Sequence, residues 1–291
     1  MDLFLLCIFV NVLLGVLFKL FPKYNIDNLQ AITINYFVSF ALGSFLLGKW
    51  AISSNFFSQD WFPFALFLAV VFIIGFNITA ITFQKFGITF TTIVQKMSLI
   101  IPVCIAILYF SEKAGIVKFI GILTAMGSII LINLKNKGSD TQFELLLKKY
   151  WYYPLFTLII SGVVELILLY MEKKSITSGN DIEFVTILFG MAGLLGLIIM
   201  ITRYFYGIKT IFSVKNLIAG ILLGVPNFFT IYFLVLLLAK WDGTVVFPIN
   251  NVGILSISAI VAVLFFKEKI NRNRLIGLSL AILSIYLISQ F

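Results

Sequence analysis

ILYFSEK (Ile107 to Lys113) returns as VLFFKEK (Val263 to Lys269), 156 positions later. The agreement runs on without a gap. Ile120-Gly121 matches Ile276-Gly277, Ala125 matches Ala281, Ser128-Ile129 matches Ser284-Ile285, and Leu131-Ile132 matches Leu287-Ile288. That makes 11 identities in the 26 positions from Ile107 to Ile132, more than a shared apolar composition supplies. A repeat of this kind governs the fold before any single residue does.

The repeat lies in a chain built for lipid. Of its 291 residues 61% are hydrophobic and 11% charged, and the mean hydropathy is +1.11. Soluble domains carry about 25% charged residues. Apolar runs near 20 residues recur along the whole length, each long enough to cross about 30 Å of hydrocarbon. Their continuity predicts helices rather than the ten-residue alternation of a barrel. Ten spans are expected, at 3–21, 29–47, 62–84, 89–110, 115–134, 151–170, 183–203, 215–238, 245–266 and 272–290. The N-terminal run reads as the first span, not as a cleaved leader. Trp50, Trp61, Trp151 and Trp241 fall at or near span ends, where amphipathic rings sit at the membrane interface. The segment FELLLKKY, 143–150, reads as a basic amphipathic turn between the two halves.

The repeat sets the relation between those halves. Glu112 closes span four and Glu268 closes span nine, five crossings apart. Five is odd, so the glutamates belong on opposite faces and the halves are inverted. The expected units are 1–138 and 139–291, each of five helices. Gly87 matches Gly243 in the same register, and IIGFN at 73–77 resembles LLGVPN at 222–227 after a slip. Spans three to five thus correspond to eight to ten. Inverted repeats of this sort are a mark of secondary carriers, with the substrate site near the midplane.

The chain resembles the drug/metabolite transporter superfamily, specifically its EamA type. The resemblance rests on the order of its motifs: two five-span halves, each closing on aromatic-x-Glu-Lys with Ile-Gly in the next helix. QKMSLIIPV at 95–103, ISGVVE at 160–165 and VVFPINNVG at 245–253 belong to the same pattern. The resemblance implies a ten-helix carrier with a central cavity lined by spans 1, 3, 4, 6, 8 and 9. It also implies that both termini are cytoplasmic. The charges point the other way. Fourteen of the 21 Lys and Arg lie in odd-numbered loops and six in even-numbered ones, which by the positive-inside rule places the odd loops in the cytoplasm.

Two charges fall well inside spans, Lys96 and Glu165. A charge at the bilayer centre costs about 2.5–3.5 kcal/mol on insertion scales, so such residues face a cavity or a partner. Lys96 lies about 12 Å down span four and Glu165 about 21 Å down span six, counted from one face. Lys96 is a candidate for an anionic substrate group and Glu165 for a coupling proton; a structural ion pair is the competing reading. The amides Asn77, Gln95, Asn227, Asn250 and Asn251 complete the candidate pathway, since each offers donors and acceptors. Interhelical hydrogen bonding is their alternative role. Pro102, Pro226 and Pro248 are expected helix breaks, because each removes a backbone donor. Glu112 and Glu268 read as helix-end contacts. Gly190, Gly193 and Gly196, with Gly220 and Gly224, read as close-packing positions.

No histidine is present and the two cysteines lie inside spans, so no metal site, disulfide or cofactor is expected. No phosphate-binding loop points to ATP hydrolysis. The expected function is secondary transport of a small polar or amphipathic metabolite across the cytoplasmic membrane by alternating access, with Glu165 as the candidate for proton coupling. The partners are the substrate and the bilayer, not nucleic acid; a homodimer is left open. A lipid-modifying membrane enzyme and a channel are the alternatives. The first lacks a clustered acid, base and nucleophile, and the second needs no inverted repeat.

Overall fold

The computed structural model describes residues 2–49, 56–98, 100–112, 115–133, 141–177, 181–206, 213–267 and 272–289. Among them every regular element is helical. The α-helices are α1 (Asp2–Leu20), α2 (Asn28–Leu46), α3 (Phe62–Phe86), α4 (Ile88–Met97), α5 (Ile100–Leu108) and α6 (Ile116–Asn133) in the first half. The second half holds α7 (Thr141–Tyr150), α8 (Tyr152–Lys173), α9 (Asp181–Phe205), α10 (Val214–Leu238), α11 (Gly243–Phe266) and α12 (Arg272–Ser289). Among the described residues eight spans are long and apolar enough to cross a membrane: α1, α2, α3, α4 with α5, α8, α9, α10 and α11. The segments expected as spans five and ten form α6 and α12, 18 residues each, which pack along one another. Lys113, Glu268 and Lys269 of the repeated phrase, and Trp50, lie outside the described residues.

The packing is that of a membrane bundle. Leu5, Phe9, Ile218, Ile221 and Leu222 are exposed, whereas Asn35, Asn227 and Asn251 are fully buried. An outward apolar surface of this extent marks contact with lipid, and the polar groups turn inward. Of the tryptophans, Trp151 and Trp241 stand exposed at helix ends. Trp61 also sits at a helix end but is buried edge-on against Phe184.

The ends of the helices sort into two faces. On the first, Asp27 caps α2 by accepting from the Gln30 amide, and its own N–H donates to Asn216 Oδ1 in the first turn of α10. Asn28 and Gln84 hydrogen-bond reciprocally, which brings the start of α2 to the end of α3. Lys85 Nζ stands 4.0 Å from the centroid of the Tyr150 ring, which adds the end of α7, two residues before α8. On the second face, Tyr170 near the end of α8 meets Phe64 of α3 and Phe110 beyond α5, with ring centroids 5.8 and 6.2 Å apart.

Helix α2 is wedged between α9 and α10 by small residues. A Cβ on Gly220 would lie 2.8 Å from the Ala31 carbonyl oxygen, and one on Gly224 2.8 Å from that of Asn35. On the other side Gly190, Gly193 and Gly196 lie against Phe40, Phe37 and Thr33. The apolar drive that clusters helices in water is missing in lipid, so this closeness of backbones holds the bundle together.

Two of the three expected breaks do not occur. Pro226 lies inside the continuous α10 and Pro248 inside the continuous α11. Each proline removes one backbone donor, and both side chains are buried among packed helices that hold the axis. The interruption of span four lies at Ser98, after α4 and four residues before Pro102. Pro102 has no N–H to give the Ser98 carbonyl, which instead accepts from Ile101 in a tighter turn of 2.9 Å. Ser98 Oγ turns back to the Gln95 carbonyl at 2.5 Å. A single residue, Gly87, joins α3 to α4 at φ 88°, a conformation that glycine adopts without a Cβ clash.

Candidate functional site

A cavity of about 140 Å3 lies among α1, α3, α4, α8, α10 and α11. These are spans 1, 3, 4, 6, 8 and 9, the six that the EamA resemblance implies. One wall is aromatic and formed by Phe18, Phe72, Phe76 and Phe83. The polar part gathers Gln95, Lys96, Glu165, Asn227 and Asn250, all five expected from the sequence, with Asn11, Thr79, Ser161 and Thr230.

Local structure explains how each arrives. Lys96 stands in the last turn of α4, where the interruption at Ser98 ends the helix. Glu165 lies midway along α8 and is buried; its Oε1 accepts from Asn251 Nδ2 at 3.2 Å. Ser98 and, at longer range, Lys96 also face the Glu165 carboxylate. No direct ion pair joins Lys96 to Glu165 among the described residues, although both charges line the same cavity. Asn227 donates to Asn35 Oδ1 of α2 at 3.0 Å. Asn250 lies against Cys7 of α1.

The acceptors left over are the unusual feature. Glu165 Oε2, Asn227 Oδ1, Asn250 Oδ1 and Asn251 Oδ1 are buried and accept no hydrogen bond from the described residues. Buried polar atoms in native proteins are nearly always partnered. Three of these four belong to cavity-lining residues, and an unmet buried acceptor costs about 1–3 kcal/mol.

Two expected residues lie elsewhere. Asn77 is not among the lining residues; its Nδ2 donates to the Ile73 carbonyl one turn back at 2.7 Å. Asn251 stands behind the cavity and holds Glu165 in place. Sequence reasoning passed over Asn11, Thr79, Ser161 and Thr230. The isolated Asn11 in the apolar run of span one was the available signal.

A second polar cluster sits on the second face. Glu112 is buried, and its two oxygens accept from the Gly243 and Thr244 amides at 3.2 and 2.9 Å. Lys173 at the end of α8 pairs with Glu112 and with Asp242, both at 2.9 Å. The loop after α5 thus caps the N-terminus of α11. Among the described residues, no group of His, Cys, Asp and Glu is placed to hold a metal.

Residues 153–290 match the model of the EamA-like transporter family. This stretch, just under half of the chain, is similar to EamA-like transporters. The resemblance stated from sequence is supported by this match, which covers the second half and includes Glu165, Asn227, Asn250 and Asn251. An uncharacterized protein of Haemophilus influenzae is 28% identical over 289 residues, covering 96% of this chain and 94% of that protein. A crystal structure of another protein superposes with a TM-score of 0.66 at 9% identity, over 98% of this chain and 97% of that one. At that identity the likeness concerns the fold alone. The apolar helices make the chain a multi-pass membrane protein, and its second half is similar to a transporter family.

Proposed function

We propose that this EamA-type protein is a secondary carrier of a small polar or amphipathic metabolite in the cytoplasmic membrane, working by alternating access. The observation that carries the proposal is the cavity itself. It lies among six helices drawn from both halves of the chain, it is polar on one side, and it holds two charges that are not paired with one another. A structural salt bridge has no use for such a space, and a lipid-modifying enzyme would set its acids and bases at an interface.

The mechanism needs ten crossings in two inverted halves, and the helix packing supports that reading. Glu112 belongs to the second face and Tyr150 to the first, which supports a crossing by α6. Its 18 residues rise about 27 Å at 1.5 Å each. Advancing each crossing by five exchanges α1 with α8, α2 with α9, α3 with α10, α4–α5 with α11 and α6 with α12. Under that exchange the packed pair α2–α10 becomes α9–α3, α1–α10 becomes α8–α3, and α1–α11 becomes α8–α4, all of which are in contact. The pairs α2–α9, α4–α11 and α6–α12 map onto themselves. A bundle with this exchange symmetry has two equivalent arrangements, each opening the shared site to a different face.

The direct test is a panel of radiolabelled metabolites in proteoliposomes, with and without a pH gradient. Saturable, protein-dependent uptake of at least one small polar solute is expected. Conductance without saturation would mean a channel. A topology test accompanies it: cysteines introduced at Tyr24, on the first face, and at Lys240, after α10, are expected to react with an impermeant maleimide from opposite sides. Reaction from the same side would overturn the ten-crossing arrangement.

A further inference from the structure

We propose that Lys85, Lys149 and Tyr150 form a site for the phosphate headgroup of an anionic phospholipid, at the corner of the first face where α3, α7 and α8 meet. The site lies on the outer surface of the bundle, apart from the cavity, and holds whether or not the chain is a carrier.

Its basis is positive charge that the protein leaves uncompensated. Lys85 Nζ lies 4.0 Å from the centroid of the Tyr150 ring and Lys149 Nζ 5.2 Å from it. Two ammoniums on one ring stand within about 10 Å of each other, about one Debye length, so they repel. The ring attracts cations through its π face but carries no net charge to cancel them. Among the described residues neither lysine pairs with a carboxylate. Lys173 on the second face shows the other solution, standing 2.9 Å from both Glu112 and Asp242. In the sequence, positions 135–150 hold four lysines and two acids, so the excess is positive before Lys85 is added.

The surroundings favour a lipid as the source of the anion. Tyr150 ends α7, and the next residues, Trp151 and Tyr152, expose their rings at the start of α8. Such rings belong at the boundary between headgroups and hydrocarbon, which puts the two ammoniums at headgroup depth. Helix α7 exposes Leu145 together with Lys148 and Lys149, the mixture of a helix lying in that boundary. Beyond Tyr152, the exposed Leu155, Phe156 and Ile159 follow at spacings of three and four, so they form one stripe along α8. A free phosphate would use the ammoniums and leave this stripe bare. A phospholipid covers both, with its headgroup on Lys85 and Lys149 and an acyl chain along α8. Clustered lysines beside a span draw anionic lipids in this way.

A lipid held here also joins the two halves. Lys85 belongs to the first and Lys149 to the second, so one headgroup bridges α3 and α7, which already touch. Binding to this arrangement stabilises it by mass action.

The test uses the full chain, delipidated in non-ionic detergent and mixed with equal amounts of phosphatidylglycerol and phosphatidylcholine. Bound lipid is counted by native mass spectrometry, and the thermal midpoint is read alongside. Phosphatidylglycerol is expected to be enriched about tenfold, the scale that two lysines beside a span supply, and to raise the midpoint where phosphatidylcholine does not. Lys85→Gln with Lys149→Gln is expected to lose most of the enrichment, and Lys85→Arg with Lys149→Arg to keep it. Lys174→Gln with Lys240→Gln removes the same charge from the second face and is expected to leave the enrichment unchanged. Inorganic phosphate at the same concentration is expected to move neither readout. If the first double variant does not elute as wild type on size exclusion, Lys149→Gln alone, at an exposed position, is expected to lose roughly half of the enrichment. Enrichment that survives these Gln variants would overturn the proposal. So would no preference for phosphatidylglycerol, an equal loss in the second-face variant, or a thermal shift from inorganic phosphate as large as that from the lipid.

Discussion

Glu165→Gln is expected to lower transport by about 10–100-fold and to abolish its response to a pH gradient, with the fold intact. The substitution removes a charge and a titrating group while keeping length and shape. The new amide has a partner ready, because Asn251 Oδ1 accepts no hydrogen bond in the native arrangement. Asn251 now donates to Glu165 Oε1 at 3.2 Å, and a turn of its amide offers its own oxygen to the introduced side-chain NH2 instead. The structural cost is therefore small. The functional cost is large, because a hydrogen bond to a charged group contributes about 1.5–3 kcal/mol and each 1.4 kcal/mol is a factor of about ten. In proteoliposomes the variant is compared with wild type at equal protein density, with thermal denaturation in detergent as the control for folding. A pH-gradient response that survives in Glu165→Gln would remove Glu165 from the coupling path.

Much of this site was legible in the sequence for a simple reason. Lipid penalises every polar group that lacks a purpose, so the few polar residues inside spans advertise themselves. Lys96, Glu165, Gln95, Asn227 and Asn250 all reach the cavity. Asn77 shows where that argument stops. A single amide satisfies itself on the carbonyl one turn back, and the spacing that permits this is present in every helix. Asn250 and Asn251 were indistinguishable as neighbours in sequence; only the rotation of α11 separates the one that lines the cavity from the one that supports Glu165. Spans were legible to within about three residues because hydropathy and turn residues agree. The behaviour of the prolines was not. Whether a lost hydrogen bond breaks a helix depends on what holds its two sides, and Pro226 and Pro248 are buried on continuous helices whereas Pro102 follows a serine that closes a tighter turn.

Glu112→Ala is expected to destabilise the protein by on the order of 2–6 kcal/mol, because two buried backbone amides lose their acceptor at about 1–3 kcal/mol each. Both Glu112 oxygens are engaged by the Gly243 and Thr244 amides, which are among the donors that no helix can satisfy internally. A carboxylate at a helix N-terminus also meets the positive end of the helix dipole. Without it these buried amides have no acceptor, and Lys173 keeps only Asp242. The companion variants separate the cap from the ion pair. Lys173 and Asp242 are 27% and 53% exposed at their side chains, so their pairing is screened by solvent. Lys173→Met is expected to cost about 1 kcal/mol or less, in line with exposed pairs, and Asp242→Asn less still. Denaturation in detergent at low and high salt gives the ranking: Glu112→Ala far below the other two, with little salt dependence, because backbone amides are not screened as mobile charges are. If Lys173→Met proves as damaging as Glu112→Ala, the cluster is held by its ion pair and not by the cap on α11. The cap ties the loop after α5 to the start of α11 on the second face. The two amide hydrogen bonds are therefore the part of this contact whose loss the Glu112→Ala measurement reads.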